Sequence, residues 1–265
     1  MDSLRSPREV PAVSRRRPSS RPASTVRRSP RNGRSVLSQE ILKHAGHVLP
    51  LDVSIRREDV LHFLGYPRER PPALRMQSLL DAAIDEANGL VRARGVFREL
   101  RVAASSEIGL RVEKAEGLAI GLVTVGPGLE DRVSRLMRAG DMTRALMIDA
   151  SGSAAAETAA DRLSAFIVGE TVEEGQVSCR VSPGYGRWPL SAQRALFDLL
   201  PHRELGVSLT PSMMMVPRKS ISFAMWLGAS ARPLAGLSGC ARCGLAHCRY
   251  RRSSAESNHT KESRS

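Results

Sequence analysis

The chain reads as an α+β or mixed α/β domain, and three observations lead there. Apolar residues recur with helical spacing in some stretches and run continuously or alternate in others. Glycine and proline clusters separate these stretches, and the two kinds of segment are interspersed along the middle of the chain. The stretch 219–227 alternates with period two: Ile221, Phe223, Met225 and Leu227 share one face, and Ser220, Ser222, Ala224 and Trp226 the other.

The elements follow in order. Residues 55–65 form a short helix with Val60, Leu61 and Leu64 on one face and Gly65 as its stop. A long helix follows Pro71-Pro72, carrying Met76, Leu79, Leu80, Ala83, Ile84, Ala87, Leu90 and Val91 at i, i+3, i+4, i+7 spacing, and Gly95 is expected to end it. Residues 98–104 and 107–113 are expected to form a hairpin around Ser105-Ser106. The apolar run 117–125 is a strand leading into Gly126-Pro127-Gly128 and a short helix with Leu129, Val133, Leu136 and Met137. Residues 145–149 are expected as a strand, and Ala150–Ser153 as the turn into a helix that buries Ala156, Ala159, Ala160, Leu163, Phe166 and Ile167. Strand 177–182 ends at Pro183-Gly184-Tyr185-Gly186. Pro189 opens a helix burying Leu196, Phe197 and Leu200, and strands 206–210 and 219–227 complete the domain.

Composition bounds the function. The chain has 265 residues, 42% apolar and 25% charged, as in an ordinary globular protein. No run approaches the ~18 apolar residues of a membrane span, and an arginine-rich start without an apolar segment is not a secretory signal. The chain therefore reads as cytoplasmic. The net charge is +13, but residues 1–36 hold ten arginines against two acids and residues 249–265 five bases against two acids, which leaves the body nearly neutral. Residues 1–36, rich in Arg, Ser and Pro, are too polar to fold and read as a disordered basic arm: a solvated tail, a transit-type leader or a nucleic-acid-binding arm. No aromatic residue interrupts those arginines, which argues against base stacking. The folded domain is placed at 37–237, a cysteine-rich knuckle at 238–252 and a second disordered tail at 253–265.

The chain has no GxGxxG, GxxxxGK[ST], HExxH or GxSxG. Its six histidines are scattered and no acid/base pair stands out. Chemistry here would work by holding reactants in place. The segment Arg180-Val-Ser-Pro-Gly-Tyr-Gly186 is the most informative one. Pro183 and the glycines make a tight turn that presents Tyr185, and Arg180, at a strand end, has a guanidinium fork suited to a carboxylate. An ordinary strand-ending turn has the same composition. The segment Leu209-Thr-Pro-Ser-Met-Met-Met-Val-Pro-Arg-Lys-Ser-Ile-Ser222 joins two strands through adjacent methionines, which fill irregular apolar gaps or make adaptable contact surfaces.

Taken together, RVSPGYG and GVSLTPSMMMVPRKSIS resemble the activation domain of vitamin B12-dependent methionine synthase, most closely the short, free-standing bacterial proteins built around it. The segments EDVLHFLGY (58–66), TVGPGLE (124–130) and ALMIDASGS (145–153) resemble the same family, so the resemblance spans roughly residues 52–252. It implies a mixed, largely antiparallel twisted sheet with flanking helices. It also implies a protein that binds S-adenosylmethionine and assists reductive methylation of cobalamin held by a methionine synthase or another corrinoid protein, with a flavodoxin-like or other electron donor. By the same resemblance, Arg180 meets the ligand carboxylate, and Pro183, Gly184 and Tyr185 form the turn where ligand and corrin meet. Met225 and Trp226 match a family pair that offers backbone contacts, with Trp226 as a possible shield for adenine. The chain has Thr210-Pro211-Ser212 where the larger synthases have Thr-Glu-Ser, one acid fewer.

Cys240, Cys243 and Cys248, with His247 adjacent, have the spacing of soft ligands for zinc or an iron–sulfur cluster. They leave open a second reading, a metal- or cluster-bearing redox accessory of a corrinoid protein that does not bind S-adenosylmethionine. Cys179 reads as an interior strand residue.

Overall fold

The strand Gly117–Thr124 is buried at all eight positions, which is why its sequence is continuously apolar rather than alternating. A computed structural model describes residues 46–67, 72–101, 105–110, 115, 117–171, 180–185 and 188–228. In it this strand, β3, lies between β2 (Arg94–Leu100) and β6 (Ser220–Leu227). Both neighbours are antiparallel to it, in registers running from Arg94↔Thr124 to Leu100↔Leu118 and from Gly117↔Leu227 to Thr124↔Ser220. The two-residue β1 (Leu49–Pro50) pairs outside β2, giving the order β1-β2-β3-β6. The expected antiparallel sheet with flanking helices is the fold observed.

Each face of the sheet has its own core. Phe97, Ala119, Val123, Phe223, Met225 and Leu227 point to one side, under the 30-residue helix α4 (Met142–Thr171) and beside α1 (Arg57–Leu64), α2 (Leu74–Leu90) and α3 (Gly128–Arg138). Val96, Leu118, Ile120, Leu122, Ala224 and Trp226 point to the other, against Ile108, Leu110, Trp188, α5 (Gln193–Leu199) and α6 (His202–Leu205). A two-residue ladder, β4 (Ser208–Leu209) with β5 (Met215–Val216), stands apart from the main sheet.

Several boundaries differ from the sequence expectations. Residues 145–149 are not a strand; they are the second turn of α4. Ala145, Ile148 and Ala150 are buried and Leu146 is exposed, and Ser151 and Ser153 hydroxyls donate to the carbonyls of Met147 and Asp149, four residues back. Alanine favours the helix and lets α4 lie close to the sheet. Gly95 does not end a helix. α2 closes at Leu90, and Gly95 lies within β2, where a Cβ would stand 3.0–3.2 Å from Leu163, Leu51 and Val123. Residues 107–109 are turn rather than strand, and Ile108 and Leu110 enter the second core; 102–104 and 111–114, the rest of the expected hairpin, lie outside the described residues. The expected strand 206–210 shrinks to Ser208–Leu209. Of 177–182, the described part makes a single bridge, Val181 to Ala224. The short helices at 57–64 and 128–138 form as expected, although Met137 is exposed.

Two predictions follow from the packing. A Cβ on Gly121 would lie 2.5–2.9 Å from the ring of Phe223, which is fully buried opposite it. Gly121→Ala is expected to destabilise the fold by about 1–3 kcal/mol in denaturant unfolding, and Phe223→Leu in the same chain to recover part of that loss. Burial raises the Glu99 carboxyl above its ordinary range, so the folded state holds that proton more tightly than the unfolded chain. The associated stability is complete below the ordinary carboxylate value and is lost as pH rises through the raised one. Glu99→Gln therefore raises the melting temperature at neutral pH, and the difference closes as the solution is acidified.

Candidate functional site

The edge of β6 that does not face β3 is where the informative segments gather. Val181 exchanges both backbone hydrogen bonds with Ala224, at 3.0 and 2.8 Å, and so fixes the chain on either side of it. On the C-terminal side, the Tyr185 amide donates to the Ser182 carbonyl at 3.2 Å. Pro183 takes the second turn position and Gly184, at φ +92°, the third, the combination that suits a type II turn. The turn is closed by Gly184 donating to the Trp188 carbonyl (2.9 Å) and Trp188 donating to that of Tyr185 (3.1 Å). The Trp188 indole is sunk in the second core, where its Nε1 donates to the Ile108 carbonyl at 2.8 Å. The base is thereby anchored, and Tyr185 at its tip is 63% exposed. Gly186 lies outside the described residues.

On the N-terminal side, Arg180 turns toward α4. Its Nη2 meets Glu157 Oε2 at 2.6 Å and its Nη1 meets Asp161 Oδ1 at 2.8 Å. Its guanidinium carbon stands 5.8 Å from the centre of the Phe223 ring. The Arg180 side chain is 16% exposed, that of Glu157 33% and that of Asp161 55%, so the triad opens to solvent through Asp161. Glu157 and Asp161 continue a row that begins with Asp149 and Ser153, each four residues from the next along one face of α4. The far end of the row holds Lys219, whose Nζ lies 2.9 Å from both Asp149 Oδ1 and Ser153 Oγ. The Lys219 stem lies where a Cβ on Gly152 would be, 3.2 Å away, and its amide donates to Glu130 Oε1. Thus TVGPGLE, ALMIDASGS and the lysine after the methionines meet at one place.

The methionine segment is a turn closed on itself. Thr210 donates to the Met214 carbonyl, Met213 donates to that of Thr210, and the Thr210 hydroxyl accepts from the Met214 amide. Met213 adopts φ +63°. Buried Gln193, on α5, donates to the Met213 carbonyl at 2.9 Å, and its Oε1 lies 3.5 Å from the hydroxyl of Ser222 on β6. Met214 and Val216 remain about half exposed.

The expected residues are therefore distributed as follows. Arg180, Pro183, Gly184 and Tyr185 sit together at the β6 edge. Met225 and Trp226 point into opposite cores and are 4% and 0% exposed, so the indole of Trp226 packs inside rather than lining open surface. Cys179, Cys240, Cys243, His247 and Cys248 lie outside the described residues, and among the described residues no group of three potential metal ligands occurs. No helix among the described residues is long and apolar enough to cross a membrane. Sequence reasoning passed over Glu157, Asp161, Lys219 and Gln193. The four-residue spacing of Asp149, Ser153, Glu157 and Asp161 was the available signal, and reading 145–149 as a strand hid it.

Residues 110–234 match the family model described as vitamin B12 dependent methionine synthase, activation domain. Among solved structures, the chain is similar to one titled "Crystal Structure of the MetH Reactivation Domain bound to AdoHcy". The identity is 18% and the TM-score 0.52, over 75% of this chain and 84% of that one, a likeness of fold. No curated protein matches the chain. Across 110–234, which hold the Tyr185 turn, the whole α4 row and the methionine segment, the chain resembles the activation domain family of vitamin B12-dependent methionine synthase, as its motifs indicate.

Proposed function

We propose that this protein binds S-adenosylmethionine at the β6 edge and docks there on a cobalamin-binding protein, assisting reductive methylation of the cobalamin. The observation that carries the reading is the family match over the segment that contains the Arg180–Tyr185 turn. The partner's cobalamin, reduced by an electron donor of flavodoxin or other type, supplies a cobalt nucleophile, and S-adenosylmethionine supplies a methyl group on a sulfonium leaving group. Such a transfer needs no general acid or base from the protein. The work left to this chain is placement, which is worth up to about 7–11 kcal/mol of a barrier in favourable cases.

The residues present suit that task. Arg180 offers the guanidinium fork for the ligand carboxylate, shared with Glu157 and Asp161. The Pro183-Gly184 turn brings backbone close to a ligand, and its anchoring through Trp188 keeps Tyr185 in place at the surface. Buried Met225 and Trp226 leave the backbone of β6 as what that pair offers. Tyr185 and Met214, both exposed, provide apolar contact for the partner.

Calorimetric titration of the full chain with S-adenosylmethionine tests the reading. Saturable heat is expected, and Arg180→Ala is expected to weaken binding about tenfold or more. A folded sample that gives no heat overturns the proposal. In an anaerobic assay with a chemical reductant and a cobalamin-loaded partner, Tyr185→Ala is expected to slow methylation far more than it lowers the melting temperature, since the residue is 63% exposed.

A further inference from the structure

We infer that the pocket between α5, α6 and β4 is a second binding site, for a hydroxylated phosphate ester of the size of a sugar phosphate or a nucleoside monophosphate. The pocket has a volume of about 460 Å³, in the range of small-molecule sites. Its apolar wall, with Phe197 and Leu209, belongs to the second core, whereas Arg180 bonds to α4 over the first. The site is therefore separate from the one proposed above and does not depend on that function.

The polar groups of this pocket are of two kinds. Arg194, on α5, and Arg203, on α6, are exposed cations from different elements that line the same space. A third, Arg94, donates from Nη2 to the Leu205 carbonyl at 3.1 Å and stands 3.6 Å from where a Cβ on the lining residue Gly206 would be. One guanidinium fork serves a carboxylate; two from separate elements suit the two charges and three free oxygens of a phosphate monoester. The other kind is acceptors. Asp198, one turn after Arg194, is the one carboxylate of the lining. His202 lies 2.7 Å through Nδ1 from the Val207 carbonyl. A carbonyl only accepts, so Nδ1 carries the proton and Nε2 of the neutral ring is left as an acceptor. That ring is held in place by Phe197, 5.0 Å away between centroids. Inorganic phosphate at neutral pH offers such acceptors little; an ester with hydroxyl groups offers them donors.

Calorimetric titration of the full-length protein at constant ionic strength tests this with ribose 5-phosphate, AMP and inorganic phosphate. Saturable binding of at least one ester is expected, and the tighter of the two tells a sugar phosphate from a nucleotide. Arg194→Ala and Arg203→Ala are each expected to weaken it about tenfold. Both side chains are exposed, so each variant should melt at the wild-type temperature without ligand, which separates a lost site from a lost fold. The arginine-rich ends of the chain attract anions loosely, and the variants retain them, so a loss of affinity is a loss at the pocket. Asp198→Ala is expected to lower the preference for the ester over inorganic phosphate about threefold, because it removes an acceptor that only the ester uses. The inference is overturned by a folded wild-type protein that binds neither ester, by arginine variants with wild-type affinity, or by inorganic phosphate binding as tightly as the esters. Displacement of the ester by S-adenosylmethionine also overturns it, since the two would then share one site. A protein that binds the ester but not S-adenosylmethionine keeps this inference and loses the proposed function.

Discussion

The antiparallel ladder between β3 and β6, covered on both faces, is the constraint on which the other features depend. Its backbone groups have no access to water, so each must find its partner across the ladder. The two strands are separated in sequence by α3, α4, the Tyr185 turn, α5, α6 and the methionine segment. Closing the ladder therefore dictates where each of these emerges. At its Thr124–Ser220 end, the Ser220 hydroxyl lies 2.9 Å from that of Thr124 and donates to the Pro217 carbonyl, tying the exit of the methionine segment to the start of TVGPGLE. Toward the other end, Ala224 uses its free edge to hold Val181. Gly121 is part of the same constraint, since the Phe223 ring fills the place of its missing side chain and also lies beside Arg180.

α4 serves this arrangement with two surfaces. Its alanines pack on the sheet, and its row of Asp149, Ser153, Glu157 and Asp161 receives Lys219 and Arg180. The ion pairs are weak candidates for stabilising the fold. Asp149 and Asp161 are half exposed, and screened pairs of that kind contribute about 0–1 kcal/mol each. Their effect on position is greater. An arginine held at both terminal nitrogens has few rotamers left, so it is presented to solvent in one orientation at little further entropic cost.

Where the sequence was legible follows from what its signals report. The helices at 57–64, 74–90 and 128–138 show because each buries one stripe against a single core. β3 and β6 show because the first is a continuous apolar run and the second alternates with period two, each over eight positions next to turn residues. The start of α4 was misread because Ala-Leu-Met-Ile-Asp is a short apolar run, which periodicity alone does not assign to helix or strand, and Gly152 looks like a turn until Lys219 is seen lying against it. Gly95 was misread for a related reason. Its function is close packing against Leu163, a contact 68 residues away that no local pattern encodes. At the site, Arg180 and the Pro-Gly-Tyr turn were legible as local chemistry. Their carboxylate partners were not, because the bonds to Glu157 and Asp161 span 23 and 19 residues and depend on α4 being one continuous helix.

The exposed apolar groups near this edge share a property that bears on the proposed docking. Tyr185, Leu190 and Met214 are each about half or more in solvent, yet the backbone beneath each is secured. Tyr185 stands on a turn pinned through Trp188, and Leu190 lies against Gly184, 3.6 Å from where a Cβ there would be. Met214 follows a positive-φ residue whose carbonyl is held by buried Gln193. A surface of this kind keeps its shape without a partner, so little ordering cost remains to be met when one arrives. That matters for the proposed reaction, in which the chemistry would be carried by the ligand and by a cobalt on another protein. With both reacting atoms supplied from outside, rate depends on how narrowly the angle between them is defined. In the proposed function, a turn anchored by one buried tryptophan and a methionine loop held by one buried glutamine would both help to define that angle.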